Sequence, residues 1–310
     1  MKFKDYKYQR PDIELVVKQA EELTAKIEGE TNLELVLEYI KEAQKISDTF
    51  QTMATLCSIR NSIDTTDEFY EAETAFFDEN TPRVQAASTK YAKALVNSPI
   101  RKELEAVYGT QWFALLELNL KSFDEVIMDD LVEEAKLSTE YSKLLASAKI
   151  EFDGKINNLS QMSVYANSPD REIRHAAALK TMEYMESVED KLAELYDKLV
   201  HVRHNMAVKM GYDNFVEFGY IRLGRSDYNS KDVESYRKQV YENVVPIAKS
   251  IITEQAKRIG IPDIKSYDLA MFYNDGNPTP VGNKDELVQK ALKMYSELSE
   301  ETKELISFCW

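Results

Sequence analysis

Glu194, Asp197, His201 and His204 are separated by three, four and three residues, so on a single helix they share one face. Carboxylates and imidazoles at such spacings can hold zinc or a di-iron centre in helical bundles, provided a second helix supplies further ligands. A solvated or cleft-lining polar face would use the same residues with no metal. The zinc-protease signature His-Glu-x-x-His is absent. His201 and His204 stand one residue too close, and Val202 occupies the place of the glutamate that would act as base. The remaining histidine, His175, reads as a surface or packing residue. Cys57 has no recognisable partner histidine, and neither a Gly-x-Ser-x-Gly elbow nor a P-loop occurs. No nucleophile, metal ligand or cofactor-binding residue can be assigned from these residues.

A second group is the run of Tyr and Arg from Gly211 to Tyr241, which includes Tyr212, Tyr220, Arg222, Arg225 and Tyr228. Its aromatics could line a peptide groove. Alternatively it is a packed connector in which Arg222 or Arg225 pairs with nearby acids.

The elements that would position these residues are mostly helices. Apolar positions recur at helical period from Ile13 to Ile27, after Pro11 and before Gly29. Thr31-Asn-Leu-Glu34, Thr65-Thr-Asp-Glu68 and Ser122-Phe-Asp-Glu125 have capping-box spacing and predict three further helix starts, with Thr31, Thr65 and Ser122 as caps. Pro82 and Pro99 predict breaks. Lys149 to Leu159 alternates polar and apolar residues around Asp153-Gly154, the pattern of a two-residue hairpin. Ser168-Pro-Asp predicts a helix start capped by Ser168, followed by one long helix to Gly211. Another long helix is expected from Ser230 to Ile259, kinked at Pro246 and closed by Gly260-Ile-Pro262. Asn283 and Ser299 predict the last two helix starts.

The chain has 310 residues, a formal charge of -15, only 9 Gly and 8 Pro, and 44% hydrophobic residues. This composition argues for long helices around a sizeable core and against an all-β fold. Basic residues are interleaved with acids, so no patch suited to nucleic acid phosphates or anionic lipid stands out. The charged start from Met1 to Lys7 lacks an apolar h-region, and no stretch has the length of a membrane span. Two distant cysteines, Cys57 and Cys309, read as packing residues in a reducing compartment, and the expected location is the cytoplasm.

Ser168-Pro-Asp-Arg-Glu-Ile-Arg174, Lys209-Met-Gly-Tyr-Asp-Asn-Phe-Val-Glu-Phe-Gly219, Arg225-Ser-Asp-Tyr228, Asp232-Val-Glu-Ser-Tyr-Arg237 and Val244-Val-Pro246 occur in an order and spacing that resemble the oligoendopeptidase F group of the thimet oligopeptidase-like zinc metallopeptidases. The resemblance implies a mainly α, multi-helix metallopeptidase scaffold with a small β-hairpin, acting on short oligopeptides. It also implies zinc, held in the full-length family by the two histidines of His-Glu-x-x-His and a downstream glutamate, with the motif glutamate activating water on a metal that lowers its pKa. No residue here matches that motif, so no ligand or catalytic role carries over.

The domains expected are a helical region over 1–145, a hairpin connector over 146–167 and an incomplete part of the catalytic domain over 168–310. The resemblance further suggests that the chain stops before the zinc-binding helix, with Trp310 a cut end, that it binds no zinc and that it is inert alone. The competing reading is a non-catalytic helical peptide-binding or interaction protein.

Overall fold

The structure is a computed structural model that describes residues 5–309, without the side chains of Phe308 and Cys309. The readings of Cys309 as a packing residue and of Trp310 as a cut end therefore lie outside the described residues. So does most of the charged start.

Helices α1 (Ile13–Ile27), α2 (Leu33–Ile63), α3 (Glu68–Val96), α4 (Arg101–Tyr108) and α5 (Thr110–Ser122) surround a first core. Ile27, Val36, Leu95, Leu104 and Phe113 form it, all fully withdrawn from solvent. The helix starts predicted from capping boxes exist, but their caps are one or two residues later. Asn32 accepts from the Glu34 and Leu35 amides, and Asp67 accepts from those of Phe69 and Tyr70. Ser122 caps nothing; it ends α5, and Asp124 caps the short 3-10 turn Glu125–Ile127 that leads into α6 (Met128–Ala146). In each case the side-chain oxygen of an Asn or Asp accepts the first-turn amides in place of the expected hydroxyl.

The break expected at Pro82 is not found. α3 runs through it, and Pro82 is buried inside the helix. Pro82 has no N–H to offer Asp78 O; the side-chain bonds nearby, Asn80 Nδ2 to Phe76 O at 2.8 Å and Thr81 Oγ1 to Phe77 O at 2.7 Å, go to carbonyls of the turn before it. At Pro99 the chain does break, between α3 and α4.

An extended strap before α1 crosses α2 and α3. Tyr8 and Arg10 both donate to Glu73, which is 3% exposed, and Arg60 donates to Tyr6 O.

Strands β1 (Ile150–Phe152) and β2 (Lys155–Asn157) form the expected antiparallel hairpin, with Glu151 opposite Ile156. Asp153 and Gly154 carry φ values of 54° and 67°, the left-handed pair that a two-residue turn requires. A single helical turn, α7 (Leu159–Met162), follows.

The long helix predicted up to Gly211 is two helices, α8 (Arg171–Ser187) and α9 (Glu189–Lys209), and Asp170 rather than Ser168 is the cap of the first. Val188 leaves helical geometry with φ -113° and ψ 5°. The bend gives each helix a different partner. Ala177 and Tyr184 of α8 pack with Ile150 and Met162 beside the hairpin, whereas Leu195 and Val202 of α9 pack with Leu137 of α6. α10 (Phe215–Arg222) adds Phe218 to a further cluster with Ile127 and Met206.

Beyond it, α11 (Ser230–Gln239) passes through a π turn at Val240–Val244 into α12 (Val245–Ile259). The Val245 amide reaches Val240 O, so the turn just before Pro246 is wider than an α-helical one. Gly260, left-handed at φ 69°, closes α12. After a loop, Asn283 caps α13 (Lys284–Leu298) in a capping box with Glu286, and α14 (Glu300–Cys309) follows. No residue of α11, the π turn or α13 is buried; Tyr236, Tyr241, Ile247 and Ile251 are 67%, 75%, 61% and 56% exposed. Among the described residues no helix is long and apolar enough to cross a membrane.

Candidate functional site

The acid and histidine face of α9 points to water. Glu194 is held by Lys198 Nζ at 2.6 Å and Lys191 Nζ at 3.4 Å, and the Lys198 hydrogen bond and Lys191 charge draw its carboxyl below the usual range. His201 Nδ1 lies 2.8 Å from Asp197 O and 3.5 Å from Asp197 Oδ2, both side chains being more than 70% exposed. Val202, in the would-be base position, is buried against Leu137. Among the described residues no group of three or more His, Cys, Asp or Glu side chains could hold a metal ion. This donor set does not fit a catalytic zinc, and no step can be drawn through one.

His175 stacks on Tyr267, with ring centroids 4.8 Å apart. Glu172 and His175 do form a Glu-x-x-His pair, a spacing that the sequence reading missed, but Glu172 is exposed at the first turn of α8. Cys57 is 1% exposed with its Sγ 3.7 Å from Thr74 Oγ1, and burial pushes the thiol up, away from a reactive thiolate.

Two charge networks fix the scaffold. Asp268 is fully buried and accepts from Arg171 Nη2 at 2.9 Å, Arg174 Nη2 at 2.8 Å and the Lys265 amide at 3.0 Å. Burial alone would raise this carboxyl; the arginine and amide bonds outweigh it and bring it down to about 2. Nothing in the sequence reading linked Asp268 to α8, which lies nearly a hundred residues away; only the i,i+3 spacing of Arg171 and Arg174 hinted at a shared acceptor.

In the second network Glu134 of α6 receives Arg203 Nε and Arg222 Nη2, each at 2.7 Å. Burial opposes the charge, and the Arg222 and Arg203 hydrogen bonds overcome it, holding Glu134 below its usual range. Arg222 thus pairs with an acid, one of the two outcomes expected. Arg225 does not. Its Cζ sits 4.2 Å from the Tyr220 ring centroid and 5.5 Å from that of Tyr228.

The family model described as Peptidase M3 N-terminal domain matches residues 3–123, and that described as Peptidase family M3 matches residues 164–308. The chain belongs to peptidase family M3. An oligoendopeptidase F solved by X-ray crystallography at 3.1 Å is 44% identical, with a TM-score of 0.96 over 99% of this chain and 54% of that one. PZ peptidase A, solved with an inhibitor, is 43% identical, with a TM-score of 0.95 over 98% of this chain and 54% of its own. An oligoendopeptidase F from Bacillus anthracis is 42% identical, with a TM-score of 0.93 over 98% of this chain and 56% of its own. No curated protein matches. This M3 chain therefore spans about half the length of the solved structures it matches.

The blocks that carried the resemblance are joints of the M3 scaffold. Arg171 and Arg174 clamp Asp268, Lys209 Nζ reaches Asp130 Oδ2 at 2.5 Å, Phe218 fills a core, and Val244-Val-Pro246 ends the π turn.

Proposed function

We propose that this chain contributes one half of a zinc-dependent oligoendopeptidase that hydrolyses internal bonds of short peptides in the cytoplasm, without nucleic acid or membrane partners. The observation that carries the reading is that nearly the whole chain matches about half of each peptidase, while its 310 residues contain no His-Glu-x-x-His. The zinc, and the base that activates water, belong on this reading to the half that those peptidases have in addition. By itself the chain is inert. Its own contribution on this reading is positional, with a helical wall within 1–145, a connector within 146–167 and the first part of the catalytic domain within 168–310.

The exposed apolar side chains of α11 and α12 favour this reading over a self-sufficient peptide-binding protein. An autonomous helical module would not leave Tyr236, Tyr241, Ile247 and Ile251 in water. The test is direct. The purified 310-residue chain should carry no stoichiometric zinc by elemental analysis and should not cleave a quenched fluorescent oligopeptide. Chelator-sensitive turnover by that chain would overturn the proposal.

A further inference from the structure

Arg225 is a half-buried guanidinium that makes no hydrogen bond or ion pair among the described residues. In a chain of 54 acids and 39 bases this is notable, because Arg222, one turn earlier, is committed to Glu134. The position of Arg225 is fixed all the same. Its amide donates to Tyr220 O at 3.1 Å, Gln111 Nε2 ties the adjacent Ser226 to α5 at 2.9 Å, and the two tyrosine rings contact its guanidinium. The rings, inclined at 72° to each other, hold the cation without supplying an oxygen acceptor, so its N–H fork, the group that binds a carboxylate through two parallel bonds, has no partner among the described residues.

The fork borders a cleft of about 520 Å³, within the size range of small-ligand sites. Tyr220, Tyr228, Asn229 and Ser230 line it, and Lys231 on its rim also has no carboxylate partner among the described residues. Glu217 is the single acid among the lining residues and pairs with neither cation. A preset, unneutralised fork beside aromatic walls suits an anion attached to an extended, partly apolar chain.

We propose that Arg225, held by Tyr220 and Tyr228, is a carboxylate subsite that takes the C-terminal carboxylate of a short peptide. The assignment rests on the peptide reading of the proposed function and names the end of the peptide that this half of the scaffold recognises. The guanidinium fork grips the carboxylate, the tyrosines flank the last side chains, and Lys231 adds a second positive charge at the mouth.

Binding to the purified chain provides the test, with N-acetyl-Ala-Ala-Phe-Ala-Ala, its C-terminal amide, and an amide carrying Glu in place of the fourth residue as probes in titration calorimetry. The free acid should bind about tenfold tighter than the plain amide, the advantage expected of charge-assisted hydrogen bonds. Arg225→Gln should erase that difference, and Arg225→Lys, which keeps the charge but not the fork, should retain only part of it. Thermal melts of both variants check the fold; if the glutamine variant does not fold, the lysine variant decides. Equal binding of acid and amide, no binding of either, or a difference that survives in the variants overturns the proposal. Tight binding of the Glu-containing amide would assign the subsite to acidic side chains and overturn the C-terminal assignment. No turnover enters the measurement, so zinc-dependent hydrolysis by the isolated chain would remove the proposed function and leave this result standing.

Discussion

Arg174 Nη2 lies 2.8 Å from Asp268 Oδ1, and both side chains are almost wholly withdrawn from water. The pair joins the first turn of α8 to the loop after α12. Asp268→Asn would leave a buried guanidinium without its counter-charge, at an expected cost of about 3–5 kcal/mol. Urea unfolding followed by far-ultraviolet circular dichroism measures this, and an unchanged midpoint would show that the clamp contributes nothing.

The same carboxyl gives stability a pH dependence. Its folded pKa, brought down to about 2, lies below an unfolded value of about 3.9. The contribution is therefore fully present above the unfolded value and is lost as pH falls through about 4 towards 2. Melting temperatures recorded from pH 5 to 2 should drop less steeply for Asp268→Asn than for the parent chain.

Glu134 secures α9 and α10 to α6 through Arg203 and Arg222. Glu134→Gln should cost about 1.5–3 kcal/mol, the range for hydrogen bonds to charged groups. Hydrogen exchange should localise the loss to α10, and protection there equal to that of the parent would contradict the proposed joint.

Phe113 has no exposed surface and sits among Leu95, Leu104 and Ile27. Phe113→Ala should cost about 3–5 kcal/mol. A chevron analysis would read the loss as faster unfolding, slower folding, or both.

The uncovered face of α11 and α12 should bind an apolar fluorescent dye. Replacing Tyr241 and Ile251 with lysine should lower that signal and change stability by no more than about 0.5 kcal/mol, since neither side chain is packed. A large loss of stability would mean that the face is covered in solution.

The helical class, the hairpin and the helix ends at Gly29, Gly211 and Gly260 could be read from the sequence because period, turn chemistry and glycine signals are local. The misses have physical causes. The apolar stripe continues through Val188, so period alone cannot show that Tyr184 and Leu195 face different neighbours. A proline inside a helical pattern reads locally as a break, whereas Pro82 is buried within α3, and burial against neighbouring helices is a tertiary effect that no local rule contains. At the site, Arg222 and Arg225 were singled out, but only tertiary structure shows that one is neutralised by Glu134 and the other is free. Asp268 could not be found at all, since no local pattern marks the acid that two arginines nearly a hundred positions earlier will choose.

The strap that ties Tyr8 and Arg10 to Glu73 has a consequence for biosynthesis. These residues are translated 65 and 63 positions before the carboxylate that fixes them. At about 5–20 residues per second the nascent chain carries them unanchored for roughly 3–13 s. The strap can close only once α3 has left the ribosome, so it settles after helices α1 and α2, which are made later than it is. Slowing translation between codons 10 and 73 would prolong the interval in which that end is open to proteases and chaperones.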